Sequence, residues 1–138
     1  MIIAIDFDGT IVEHRYPKIG KPIIFAFEAL KELQKRKHKL ILWTYRYGAE
    51  LEEAVAFCKE RGIEFYAVNG NASDEKFDPA GMSRKIHADI FIDDRNIGGF
   101  LGWGAILHEL HPDDFGLGQE PLSFREKIGA AWKDITRK

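Results

Sequence analysis

Asp6-Phe7-Asp8-Gly9-Thr10 follows directly on the apolar run Met1-Ile2-Ile3-Ala4-Ile5, so a stretch suited to burial ends by presenting two carboxylates. The pattern recurs. Thr44 and Arg46 follow Leu40-Ile41-Leu42-Trp43, and Asp93 and Asp94 follow Ala88-Asp89-Ile90-Phe91-Ile92. Carboxylates and hydroxyls offer oxygen, the donor that hard divalent cations prefer. Carboxylates gathered in one place repel each other and any anion that approaches. The chemistry such a set suits is that of an anion meeting an anion across a cation.

Convergence requires elements that end at a common edge. Ile2 to Phe7, Leu40 to Trp43, Glu64 to Val68 and Ala88 to Ile92 read as buried strands, and Gly104 to Leu107 as a short fifth. Between them lie amphipathic helices. One covers residues 21–37, with Pro22 in its first turn and Ile24, Phe27, Leu30 and Leu33 along one face. Another covers 49–61, with Leu51, Ala54, Val55 and Cys58 at i, i+3, i+4 and i+7 and Gly62 as its stop. A last helix begins at Ser123, where Glu126 completes a capping box. Strands alternating with helices imply a parallel sheet, and ligands bind such sheets at the carboxyl ends of the strands. The three polar clusters are thereby expected at one edge.

The composition sets bounds. A chain of 138 residues has the size of one domain, so residues 1–138 are expected to form a single unit. A net charge of −2 without a basic tract argues against nucleic-acid or anionic-membrane binding as the main role. Cys58 is the lone cysteine, which excludes an internal disulfide and suits the cytoplasm. The five-residue N-terminal apolar run is too short for a membrane span and has no basic leader.

Four motifs in this order resemble those of the haloacid dehalogenase superfamily of phosphatases, over residues 1 to about 98. The first is Asp6-Phe7-Asp8-Gly9-Thr10, the second Thr44 in Leu-Trp-Thr-Tyr-Arg, and the fourth Asp93-Asp94 in Ile-Phe-Ile-Asp-Asp-Arg. The third, a lysine ahead of the fourth strand, is best matched by Lys85, with Arg84 and Lys76 as competitors. The resemblance implies a three-layer, Rossmann-like α/β fold with a parallel central sheet and helices on both faces. It also implies Mg2+ as cofactor and hydrolysis of a phosphate monoester through an aspartyl-phosphate. Asp6 is then nucleophile and metal ligand. Asp8 contributes its carbonyl to the metal and its side chain as general acid and base. Asp93 completes the metal shell, with Asp94 ligating directly or through water. Thr44 and Lys85 hold the phosphoryl oxygens, and Gly9 and Thr10 offer backbone N–H groups. Arg46 is a further substrate-binding candidate, or else the partner of a local aspartate.

Asp8 favours phosphoryl transfer over dehalogenation, because an alkoxide leaving group needs a proton and a halide does not. The loop from Gly9 to Lys21 and the stretch from Thr44 to Lys85 leave no room for a cap domain. The site is therefore open, or is covered by a second subunit of a homo-oligomer. A small phosphorylated metabolite ranks as substrate above a nucleic-acid 3′-end. A phosphotransferase and an inactive phosphate- or metal-binding regulator are the alternative functions. Glu13, His14 and Arg15 are placed as candidates for the entrance, Arg95 as a partner of nearby carboxylates, and Asn69-Gly70-Asn71 as a turn first and a substrate loop second. Trp43, Cys58 and Trp132 are expected in the core, and Phe100, Trp103, Phe115 and Leu117 packed on the body.

Overall fold

The computed structural model describes residues 1–115 of this chain. Residues to Trp103 form one compact unit, and Gly104 begins a second. The first unit holds β1 (Ile2–Ile5), α1 (Ala26–Lys35), β2 (Lys39–Leu42), α2 (Gly48–Glu60), β3 (Ala67–Val68) and β4 (Ile90–Ile92). The four strands are all parallel, in the order β3-β2-β1-β4. The chain thus steps from β1 to β2 and β3 on one side, then returns to the other side of β1. That reversal opens a crevice at the end of β1, where ligands bind in such sheets. The expected α/β fold is the one observed, and among the described residues no cap interrupts it.

Both faces of the sheet are apolar, which is why the strands read as unbroken hydrophobic runs. Ile3, Ile5, Leu40 and Leu42 are buried on one face, in matching register between β1 and β2. Full burial of each such side chain stabilises by roughly 1.5–3 kcal/mol. α1 adds Ala26, Ala29, Leu30 and Leu33 to the core. The ring of Phe57 in α2 meets Phe27 of α1 at 5.9 Å and Phe7, just past β1, at 6.2 Å. On the other face Ala4, Ile41 and Ala67 cluster with Ile86, and Ala88 and Phe91 pack beside them. The crossover segment ahead of β4 meets that face through Ile86 and Ala88.

Several elements differ from the periodicity. Residues 21–25 are not helical: Glu13 N–H donates to Lys21 O and Ile23 N–H to Ile11 O, so the stretch pairs with 11–13 as a short arm. The third and fourth strands are shorter than their apolar runs. The expected fifth strand at Gly104 to Leu107 lies instead in a helix, α3 (Trp103–Leu110). A four-residue apolar run carries no period of its own; Trp103, Ile106, Leu107 and Leu110 are at helical spacing, and the first three are buried. A single turn, α4 (Pro112–Phe115), follows. The helix expected from Ser123, with Trp132, and the position of Leu117 lie outside the described residues.

Candidate active site

Register places the acidic groups together. Ile5 pairs with Ile92, so Asp6 and Asp93 leave the sheet as neighbours, and Asp6 N–H donates to Ile92 O at 3.0 Å. Carboxylate oxygens of Asp6, Asp93 and Asp94 lie within 4.8 Å of one another, and all three residues are half-buried. Thr10, fully buried beneath them, donates its hydroxyl toward Asp6 Oδ2 at 3.2 Å or Asp94 Oδ1 at 3.4 Å and accepts from Asp94 N–H at 3.1 Å. Its single proton serves one carboxylate at a time. Among the described residues none of the three carboxylates forms an ion pair. The Asp6 carboxyl is accordingly pushed up to about 7, first by burial and then by the Asp93 charge. An oxygen-only cluster that cannot hold three charges by itself fits a hard divalent cation.

Gly9 makes this approach possible. Its φ is +87°, and a Cβ there would stand 2.2 Å from Asp94 Oδ2. The turn is closed internally: Gly9 N–H donates to Val12 O at 2.7 Å and Thr10 N–H to Phe7 O at 3.2 Å. The N–H groups expected to face a substrate therefore hold the loop in shape. Thr10 O accepts the indole N–H of the buried Trp103 at 2.8 Å, so Trp103 packs directly beneath the loop.

Asp8 has a different environment. Arg46 grips it in a bidentate pair, Nε to Oδ2 and Nη2 to Oδ1, both at 2.7 Å. The remaining N–H groups of Arg46 go to Pro17 O, Lys18 O and Glu50 O. With all five donors engaged and the side chain buried between the Phe7 and Tyr16 rings, Arg46 has none left for a ligand. Of the two roles open to it, the structure places it in the pair with a local aspartate.

A cavity of about 360 Å3 opens over these groups. Asp6, Asp8 and Asp93 line it, with Thr44 after β2 and Trp43, Tyr16, Tyr45 and Arg95 around them. Asn69, at φ +50° past β3, braces the Thr44 loop by accepting from Thr44 N–H at 2.8 Å and donating to Arg46 O at 3.2 Å. The lining does not include Lys85, which is exposed with Nζ 5.4 Å from the Phe91 ring. The cation at the cavity is Arg95, and His14 Nε2 stands 3.4 Å from its Nη2. Glu13, His14 and Arg15 are exposed but do not line the cavity; Tyr16 does. Tyr16 and Tyr45 are cavity residues that sequence reasoning missed, and Trp43, expected in the core, is a third. Only position could have signalled the two tyrosines, since Tyr45 directly follows Thr44 and Tyr16 belongs to the segment beyond the first loop. Cys58 is buried in α2, and burial pushes its thiol up to about 12, so it is a core group.

A conserved protein of Bacteroides thetaiotaomicron with a solved structure is 56% identical to this chain. The match covers 80% of this chain and 88% of that one, at a TM-score of 0.75. The chain belongs to that protein's family. No protein-family model and no curated protein matches it. Among the described residues no helix is long and apolar enough to cross a membrane.

Proposed function

We propose that the chain is a capless phosphohydrolase of the haloacid dehalogenase type, dependent on Mg2+ and acting on a small phosphate monoester. The observation that carries this reading is the meeting of Asp6, Asp93 and Asp94 within 4.8 Å, with no protein cation paired to them among the described residues. Asp8 stands two residues on, at the same cavity. Asp6, Asp93, Asp94 and the main-chain carbonyl of Asp8 would hold the ion. Bound Mg2+ would supply the positive charge that lets a dianionic ester approach carboxylates.

One Asp6 oxygen attacks phosphorus, and the P–O bond to the alcohol breaks as Asp8, one oxygen released from its Arg46 N–H partner and carrying a proton, gives that proton to the leaving oxygen. Asp8 then takes a proton from water, whose oxygen attacks the aspartyl-phosphate and restores Asp6. Thr44 and Arg95 face the phosphoryl oxygens from the cavity wall. Arg95 thereby takes the part expected of Lys85. Arg46 fixes Asp8 in place without touching the substrate. The lone buried thiol accords with a cytoplasmic setting.

The test is release of inorganic phosphate from a panel of phosphorylated sugars, nucleotides and acids, with Mg2+, with EDTA, and with added alcohol acceptors. Release that stops in EDTA and is not diverted by alcohols is expected. Metal-independent release, or none from any ester, overturns the reading.

A further inference from the structure

The acidic residues account for part of the cavity lining, and the rest of it is of another character. Tyr45 is 88% exposed and Tyr16 38% exposed, yet both line the cavity, with Trp43 half-buried between strand and solvent. A ring left in water forgoes the burial free energy that folding otherwise draws from it, so rings that line one cavity point to a ligand that covers them. Arg95, whose planar guanidinium can stack on flat π-systems, lines the same cavity.

The Tyr16 face is held in place. The buried Arg46 guanidinium lies 5.2 Å from its ring centroid while bonding Pro17 O and Lys18 O on the same loop. A fixed aromatic wall favours a rigid, flat partner, since little freedom is lost on contact. A phosphate at the carboxylates and a flat ring against these walls must be joined by a spacer. The cavity is of the size small ligands fill.

We infer that the alcohol side of the substrate carries a nucleobase: the cavity takes a nucleoside monophosphate, phosphate toward Asp6 and base against Tyr16, Trp43 and Tyr45. The net charge of −2 and the absence of a basic tract favour a single nucleotide over a polymer, whose binding rests on paired phosphates. The inference relies on the hydrolase reading for the place of the phosphate. It relies on the aromatic wall for the rest.

Uridine and adenosine 5′-monophosphates and ribose 5-phosphate present the same primary phosphate on the same sugar, so they differ in the base alone. Titration calorimetry on the Asp6→Asn protein with Mg2+, repeated on wild type with Ca2+, compares them without turnover. The nucleotides are expected to bind about tenfold or more tightly, the range that base–aromatic stacking supplies. Tyr45→Ala should erase the difference and Tyr45→Phe preserve it. Equal affinities overturn the inference, as does tighter binding of phenyl phosphate than of either nucleotide. Turnover separates the two readings. Hydrolysis without nucleotide preference removes the nucleobase site and leaves the hydrolase. Base-dependent binding with no hydrolysis of any ester removes the hydrolase and leaves the nucleobase site.

Discussion

The loop from Asp6 to Thr10 carries two carboxylates that meet opposite fates. Asp8 is neutralised from within: a buried guanidinium grips both its oxygens at 2.7 Å, and the same Arg46 ties down the Pro17-Lys18 segment and the start of α2. Asp6, one strand-end turn away, faces Asp93 and Asp94 with only the Thr10 hydroxyl between them. One side of the loop is electrostatically finished by the fold. The other is left with repulsion that an external cation can remove. A protein able to build the first arrangement had the means to build the second, so the unpaired cluster reads as a place kept for a ligand.

The unpaired side of the loop depends most on Asp6. Asp6→Asn should lower kcat by at least about 10³-fold, as expected for loss of a nucleophile. Its metal-free unfolding free energy near pH 8 should be no lower than wild type, since the substitution removes a repelled charge. A variant that keeps its activity, measured as phosphate release, would remove Asp6 from the chemistry.

On the neutralised side the expected loss is in stability. Arg46→Ala leaves Asp8 charged and half-buried without its partner, which should cost about 3–5 kcal/mol in urea unfolding. The double variant with Asp8→Ala should recover part of that cost, because the coupling belongs to the pair. A loss below about 1 kcal/mol would mean that the pair behaves as a surface one.

Acidity sharpens the contrast between the two sides. Asp6 titrates at about 7 in the folded chain against an ordinary 3.8, so the metal-free folded state holds that proton more tightly than the unfolded state. The stability this contributes is fully present below pH 3.8 and is lost as pH rises through 7. The shift corresponds to at most about 4 kcal/mol before the screening that half-exposure brings. Thermal melts in EDTA from pH 4 to 8 should therefore fall in Tm, and Mg2+ should restore it at the alkaline end. A Tm in EDTA that rises over that range would contradict the assignment.

The smallest effect is expected at Gly9. Gly9→Ala puts a Cβ 2.2 Å from Asp94 Oδ2 at a φ of +87°, with a strain of about 1–2 kcal/mol. Asp94 must retreat, so Mg2+ affinity should drop about tenfold, an effect of similar free energy, with the Arg46–Asp8 side unchanged. Calorimetric titration of Mg2+ checks this.

Much of the site was legible because it is written at strand ends. A strand buried on both faces reads as a continuous apolar run, and a polar residue that ends such a run in a parallel sheet must emerge at the ligand edge. That is why Asp6, Thr44, Asp93 and Asp94 could be grouped across more than half the chain. Residues whose work depends on a partner were not legible. Lys85 has the right charge and order, but its loop carries it over Phe91 and away from the cavity. Gly9 suggested a backbone donor, and what it provides is space for Asp94. The apolar segment at Gly104 was too short for its own period to separate strand from helix.

The sequence by itself determined which residues could do chemistry, the parallel α/β frame, and the edge at which those residues gather. These follow from local hydrophobic pattern and the geometry of parallel strands. Only the tertiary structure decided which carboxylate is paired and which are left repelling, that Arg46 serves Asp8 and not a ligand, and that Tyr16 and Tyr45 wall the cavity. Those outcomes depend on distances between segments remote in sequence, and Coulomb and packing energies respond to distance in space, not to separation along the chain.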